Sequence, residues 1–272
     1  MAFPFVCYNN IIRIVGAGGS IPTPATGYDS ADIYDFKPHT FWKSNVLTSP
    51  QDFIMDLGGA AQGADYIALI NHNMADSPNY DVTVYADTFT PPTTVRVAAY
   101  TPASNVIDLT LFTSPGSFRY WMVRLTNSAA PWTSAPFIGE LMLGLRTTFT
   151  EYLSPTVDPY FTDVEVIGSR SIGGNYLGAT ERGKRHRGVI EFGPAGIARS
   201  EFTNTLNPFI ETHAQRRRPF LFVVDSADTD FDTPFYVRVP DNASITRKAV
   251  GGSWGRMTLS IPVEEAYMEP VV

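Results

Sequence analysis

Seven segments in the first half of this chain alternate apolar and polar residues: DFIMDL, DYIALI, YDVTVYA, TVRVAAY, VIDLTLF, YWMVRL and FIGELML. A repeat of two sends successive side chains to opposite sides of an extended strand, so each segment suits a strand with one face in a core and the other in water. The clearest case sets Ile107, Leu109 and Leu111 against Asp108 and Thr110. Turn-forming clusters separate the segments, among them Asp76-Ser77-Pro78-Asn79, Thr90-Pro91-Pro92 and Thr113-Ser114-Pro115-Gly116. Short strands at such regular spacing predict a β-sandwich or jelly roll.

After Arg146 the pattern changes. TDVEVIG and RGVIEFG read as strands on either side of a glycine-rich and then basic stretch. Residues 197–213 place Ile197, Phe202, Leu206, Phe209 and Ile210 near helical spacing, with Pro208 expected to break or kink the helix. PFLFVVD, FYVRV and MTLSIPV supply three more strands, giving the order β-β-α-β-β-β. The change of pattern between Leu145 and Leu153 predicts two domains, 1–147 and 148–272, the second carrying one helix and a long hairpin at 168–188. A chain of 272 residues is long enough for two separate cores.

Charge and cysteine content narrow the partners. The net charge is −7, which repels nucleic acid and anionic lipid. The single cysteine, Cys7, cannot form an internal disulfide, as expected of a protein that folds in a reducing cytoplasm. Asn9, Asn10 and Arg13 interrupt the apolar start, so no signal peptide is expected, and no window approaches the length of a membrane-spanning helix.

Motifs that would carry chemistry are incomplete. GAGG at 16–19 resembles the start of a dinucleotide fingerprint, but Ile21 replaces the third glycine, and Pro22 and Pro24 forbid the helix. Gly251-Gly252-Ser253-Trp254-Gly255 matches a nucleophile elbow, yet a strand follows it and the last histidine, His213, precedes it. Asp228, Asp230 and Asp232 alternate like calcium-loop ligands, but Thr233 and Val239 occupy the positions that need Gly and Glu. His39, His72, His186 and His213 stand far apart. The expectation is a protein without enzymatic activity, cofactor or metal.

Residues 28–144 resemble the galactose-binding-like (discoidin, F5/8 type C-like) domains, in the versions found in tail proteins of long-tailed bacteriophages. The resemblance rests on YDSADIYDFKPHTFWKS, DFIMDLGGAAQGADYIALINHNM, YDVTVYAD, FRYWMVRLTN and FIGELMLG. It implies that Trp42, set in polar surroundings between Phe41 and Lys43, is a structural anchor holding a loop onto the end of the sandwich. Residues 153–266 resemble, in the arrangement of their elements, the tail-tube-like fold of distal tail and baseplate hub components. The fold class expected is mainly β, an N-terminal galactose-binding-like sandwich plus a C-terminal tail-tube-like sandwich or barrel.

Two functions of different class follow from the resemblance. One is a structural virion protein of the tail tip, a ring homo-oligomer, six-fold by analogy with tail tubes, that contacts tube, hub or fibre proteins. The other is a module that binds a host-surface glycan, for which Trp132 in PWTSAP is the candidate ligand-binding residue. Arg170, Arg182, Lys184, Arg185 and Arg187 gather in an otherwise acidic chain. They are expected on an extended arm that reaches a neighbouring subunit, with a solvated loop and DNA contact as alternatives.

Overall fold

The computed structural model describes residues 3–13, 19–113, 115–129, 131–153, 162–170, 176–192, 196–225, 233–250, 253–266 and 269–270. The chain is mainly β and divides into two compact units. Its first strand, β1 (Phe5–Cys7), is only three residues long and buried along its whole length. A strand covered on both faces shows no alternation and so gives no period-two signal.

Residues 7–146 form one unit. Its strands are β2 (Trp42–Lys43), β3 (Gln51–Asp56), β4 (Tyr66–His72), β5 (Tyr80–Asp87), β6 (Val95–Tyr100), β7 (Ile107–Leu111), β8 (Tyr120–Asn127) and β9 (Phe137–Gly144). They build two antiparallel four-stranded sheets, ordered β2-β9-β4-β7 and β3-β8-β5-β6. Trp42, Ile67, Leu69, Ile138, Leu141 and Leu143 of the first sheet share one core with Phe53, Met55, Val82, Val84, Trp121 and Val123 of the second. Each large apolar side chain buried in this way contributes about 1.5–3 kcal/mol relative to exposure. This is the sandwich that the alternating segments predict, and each of the seven contributes to one of its strands.

The second unit comprises residues 1–6 and 147–272. It contains β10 (Thr147–Thr148), β11 (Thr162–Arg170), β12 (Tyr176–Glu191), β13 (Ile197–Ala198), β14 (Phe220–Val223), β15 (Phe235–Arg238), β16 (Thr246–Val250), β17 (Ser253–Glu265) and β18 (Glu269–Pro270). With β1 they form a sheet whose main path is β10-β1-β14-β15-β17-β12-β11. Phe5 pairs with Thr148 and Val6 with Thr147.

The pairing of β1 with β10 corrects the expected division at residue 147. The first strand of the second unit precedes the sandwich in sequence, so the sandwich is an insertion between two neighbouring strands of another sheet. Thr147 also belongs to the second unit.

The helical segment runs from Arg199 to Thr212. Pro208 does not break it. The five residues before Asn207, Phe202–Leu206, adopt a π-type turn, and this wider winding accommodates a residue without an N–H. Phe209 on this segment packs edge-on against Phe220 of β14, centroids 4.8 Å apart. The basic hairpin is longer than the expected 168–188, since β11 and β12 pair from Thr162↔His186 to Arg170↔Tyr176. Its connection, 171–175, lies outside the described residues, as do Asp228, Asp230, Asp232 and all of GAGG but Gly19.

The insertion topology makes a prediction about fragments. Residues 148–272 alone lack the strand that sits between β10 and β14 and are expected to melt without cooperativity. Residues 3–6 joined by a short Gly-Ser linker to 147–272 should restore a single sharp transition by circular dichroism. Equal cooperativity in the two fragments would contradict the assignment of β1 to this sheet.

Candidate functional site

The TFWKS stretch sets the geometry of one outer face of the sandwich. Trp42 points inward and is completely buried, its ring meeting Phe53 edge-on at 4.8 Å and its indole N–H donating to the Pro22 carbonyl at 2.9 Å. Alternation along β2 then turns Phe41 and Lys43 the other way. On the neighbouring strand Ile138, opposite Trp42 in register, is buried in the core, and Phe137 stands opposite Lys43.

The loop of residues 20–28 is fastened alongside. Ala25 donates its N–H to the Lys43 carbonyl at 2.8 Å, and Pro24 bridges to Ser44. This brings Tyr28 beside Phe41. Asp29 and Asp32 then form a reciprocal capping box that starts the turn Ser30–Tyr34 and fixes the chain on the far side of Tyr28. Phe137 is held by its own N–H, which donates to the side-chain oxygen of Asn73 at 2.9 Å.

The result is a row of three partly exposed rings. Tyr28 and Phe41 have centroids 5.0 Å apart, and Phe41 and Phe137 lie 5.1 Å apart. Lys43 Nζ stands 5.8 Å from the Tyr28 centroid. Such a stripe offers apolar faces for stacking and one cation beside them.

Next to the stripe lies a buried polar cluster. Glu140 of β9 is wholly buried, with Oε2 accepting the Phe36 N–H at 2.8 Å and Oε1 without a hydrogen-bond partner. Burial pushes its carboxyl well above the ordinary glutamate range, and the Phe36 N–H and the Arg13 guanidinium oppose that rise. Phe36 itself has φ +66° and lies under Arg13, whose guanidinium carbon is 4.4 Å from its ring centroid. Gly139 allows the loop to come so close, because a Cβ there would stand 2.7 Å from the Pro38 carbonyl. His72 is buried too, its pKa lowered by burial to about 4, and its Nδ1 accepts the Met74 N–H at 3.0 Å. Among the described residues no three His, Cys, Asp or Glu side chains gather as a metal site would need.

The residues singled out from sequence fall elsewhere. Trp132, expected as an exposed ligand contact, is only 1% exposed. Its ring packs on Tyr80 at 4.6 Å and its indole N–H donates to the Thr48 carbonyl at 3.1 Å. It therefore offers no face to a glycan. Arg170 ends β11, whereas Arg182, Lys184, Arg185 and Arg187 lie on β12. Arg185 stands opposite Asp163 in register, Lys184 opposite Glu269 of β18, and the exposed Arg187 opposite Glu264 of β17. Arg182 is the extra residue at a register shift between Glu165 and Val166. Sequence reasoning missed the stripe, although alternation across Phe41, Trp42 and Lys43 carried the signal for one of its rings, Phe41, and for the cation beside it.

No protein-family model matches the chain, and no curated protein matches it. Among solved structures it is similar to chitosan-binding module 1 of a chitosanase/glucanase from Paenibacillus sp. IK-5, at 20% identity over 50% of this chain and 98% of that one, with TM-score 0.39. It is also similar to the CBM32 of AlyQ in complex with 4,5-unsaturated mannuronic acid, at 19% identity over 46% and 97%, TM-score 0.34. A third is CpGH89CBM32-5 from Clostridium perfringens, in complex with GalNAc-β-1,3-galactose, at 14% identity over 46% and 91%, TM-score 0.37.

The raised pKa of Glu140 has a definite sign in stability. A carboxyl whose folded-state pKa exceeds its unfolded value favours folding in acid, and that contribution is lost as pH rises from about 4.3, the ordinary glutamate value, through the folded pKa. Glu140→Gln keeps an oxygen for the Phe36 N–H and removes the titration. Its sandwich should melt close to wild type near pH 4 and progressively above it toward pH 8. A gap that stays constant with pH in a calorimetric series would refute the buried neutral carboxyl.

Proposed function

We propose that the chain is a non-enzymatic recognition protein whose sandwich binds a saccharide across Tyr28, Phe41 and Phe137. One observation carries this reading, the row of three partly exposed rings at spacings of 5.0 and 5.1 Å, fixed from behind by the burial of Trp42. A pyranose has an apolar C–H face and a polar rim. Rigid aromatic faces suit the first, and backbone and side-chain groups of the surrounding loops suit the second.

A second reading is favoured by the insertion of the sandwich between β1 and β10. A unit that hosts another domain through two adjacent strands keeps its own sheet continuous, so it can assemble through that sheet while the inserted domain remains free for recognition. On this reading the chain is a structural component of a phage tail tip. It folds in the host cytoplasm and enters the virion as a ring that joins the tube to its hub or fibre proteins.

The two readings have separate tests. Phe41→Ala should weaken binding to a saccharide identified on a glycan array by about tenfold, equivalent to about 1.4 kcal/mol, with little change in melting temperature. Trp132→Ala should instead destabilise the sandwich by about 3–5 kcal/mol, as large-to-small aromatic changes in cores do. Unaltered saccharide affinity in Phe41→Ala would remove the stripe from consideration.

For assembly, native mass spectrometry of the full chain should give a closed homo-oligomer, with six copies expected. A monomer at high concentration that is also absent from purified virions counts against the ring.

A further inference from the structure

Lys43, like Arg13 and Arg96, lies against an aromatic ring and forms no ion pair with a described carboxylate. Lys37 pairs with Asp35 at 3.7 Å, and the ion pairs of Arg119, Arg124 and Arg146 use Asp56, Asp52 and Asp65. Among the described residues Lys43 has no carboxylate partner, although its side chain is partly buried and its ammonium lies over the Tyr28 ring. The acidic residues nearest to Tyr28 in sequence are already engaged. Asp29 accepts from the Ala31 N–H at 2.9 Å and from Ser30 Oγ at 3.4 Å, and Asp32 accepts from the Asp29 N–H at 3.0 Å.

A partly desolvated ammonium recovers some of its lost hydration from a ring quadrupole, but a carboxylate satisfies it better. A ligand that stacked on Phe41 and Tyr28 would bring its rim to this cation. From this juxtaposition of an aromatic stripe and an unmatched lysine, we propose that the stripe selects a carboxylated pyranose, a uronate, with Lys43 as the specificity-determining residue. The proposal rests on the saccharide reading above and adds charge selection to it. The ligand carboxylate pairs with Lys43 Nζ while the C–H face of its ring lies on Phe41.

The test separates charge from stacking by using the full chain with oligomers of galacturonate, glucuronate and mannuronate, each beside its methyl ester. The ester keeps the ring and removes the charge. Wild type should bind at least one uronate about tenfold more tightly than its ester by isothermal titration calorimetry, as a charge-assisted hydrogen bond contributes. Added salt should narrow the difference. Lys43→Met should bind acid and ester alike, while Lys43→Arg should retain the preference. Equal affinity of wild type for acid and ester, or for neutral saccharides alone, overturns the uronate proposal and leaves the saccharide reading standing. No binding of any saccharide in the panel or on the glycan array overturns both. A preference for the acid that survives in Lys43→Met assigns the selection to another residue and refutes the role of Lys43.

Discussion

Trp42 buries its whole indole and still satisfies its N–H on the Pro22 carbonyl, and the direction of its neighbours follows from that fit. A strand gives adjacent residues no choice, so an inward Trp42 makes Phe41 and Lys43 point outward. The same bond ties the chain at residue 22, and Ala25 and Pro24 continue the fastening on Lys43 and Ser44. Tyr28 arrives beside Phe41 as a consequence. A buried aromatic with a single polar atom thereby converts core packing into a fixed surface, at about the energetic scale of a core aromatic. Phe53 packs T-shaped against the indole, and Ile138, opposite Trp42 in register, belongs to the same core.

The boundary between the units shows what alternation can and cannot convey. All seven alternating segments form strands, but their burial alternates only in part: Gln51–Ile54 follows the period, Tyr66–Ile70 and Ile138–Gly144 are buried on both faces, and in Ile107–Leu111 the buried residue is Asp108. Phe5–Cys7 is buried on every side, and three apolar residues near a chain start carry no period. Its partner, Thr147–Thr148, is shorter still and lies about 140 residues away, beyond any local pattern. Insertion of one domain within another is thus a non-local fact. Single-strand signals miss it even when every long strand is legible.

The site was legible in part for the same reason. Alternation through Phe41, Trp42 and Lys43 already separates an inner from an outer pair, and the polar neighbourhood of Trp42 hints that something covers it. Tyr28 and Phe137 could not be joined to this pair from sequence, since one comes from a loop held by backbone hydrogen bonds and the other from register with β2. Trp132 misled because Pro, Ser and Thr around it suggest an exposed loop. Its surroundings in space are Tyr80 and the Thr48 carbonyl, which no neighbour in sequence reveals. Of the break or kink expected at Pro208, the structure excludes the break, since the helical segment continues through it. A π-type turn absorbs the missing donor, a solution that helical periodicity does not anticipate.

Register also changes how the basic arm is understood. A concentration of cations in a chain of net charge −7 invites an outside partner. Yet three of the four cations on β12 stand opposite an acidic residue in the ladder, Arg185 with Asp163, Lys184 with Glu269 and Arg187 with Glu264. For the exposed Arg187 and the buried Glu264, opposite charges at facing positions of an antiparallel pair contribute roughly 0.2–1 kcal/mol, which is reason enough for a cation there. Glu264 is held by Arg238 at 2.9 Å as well, which places two basic positions around one buried carboxylate. Arg182 differs, because it is the residue the bulge inserts and has no register partner on β11.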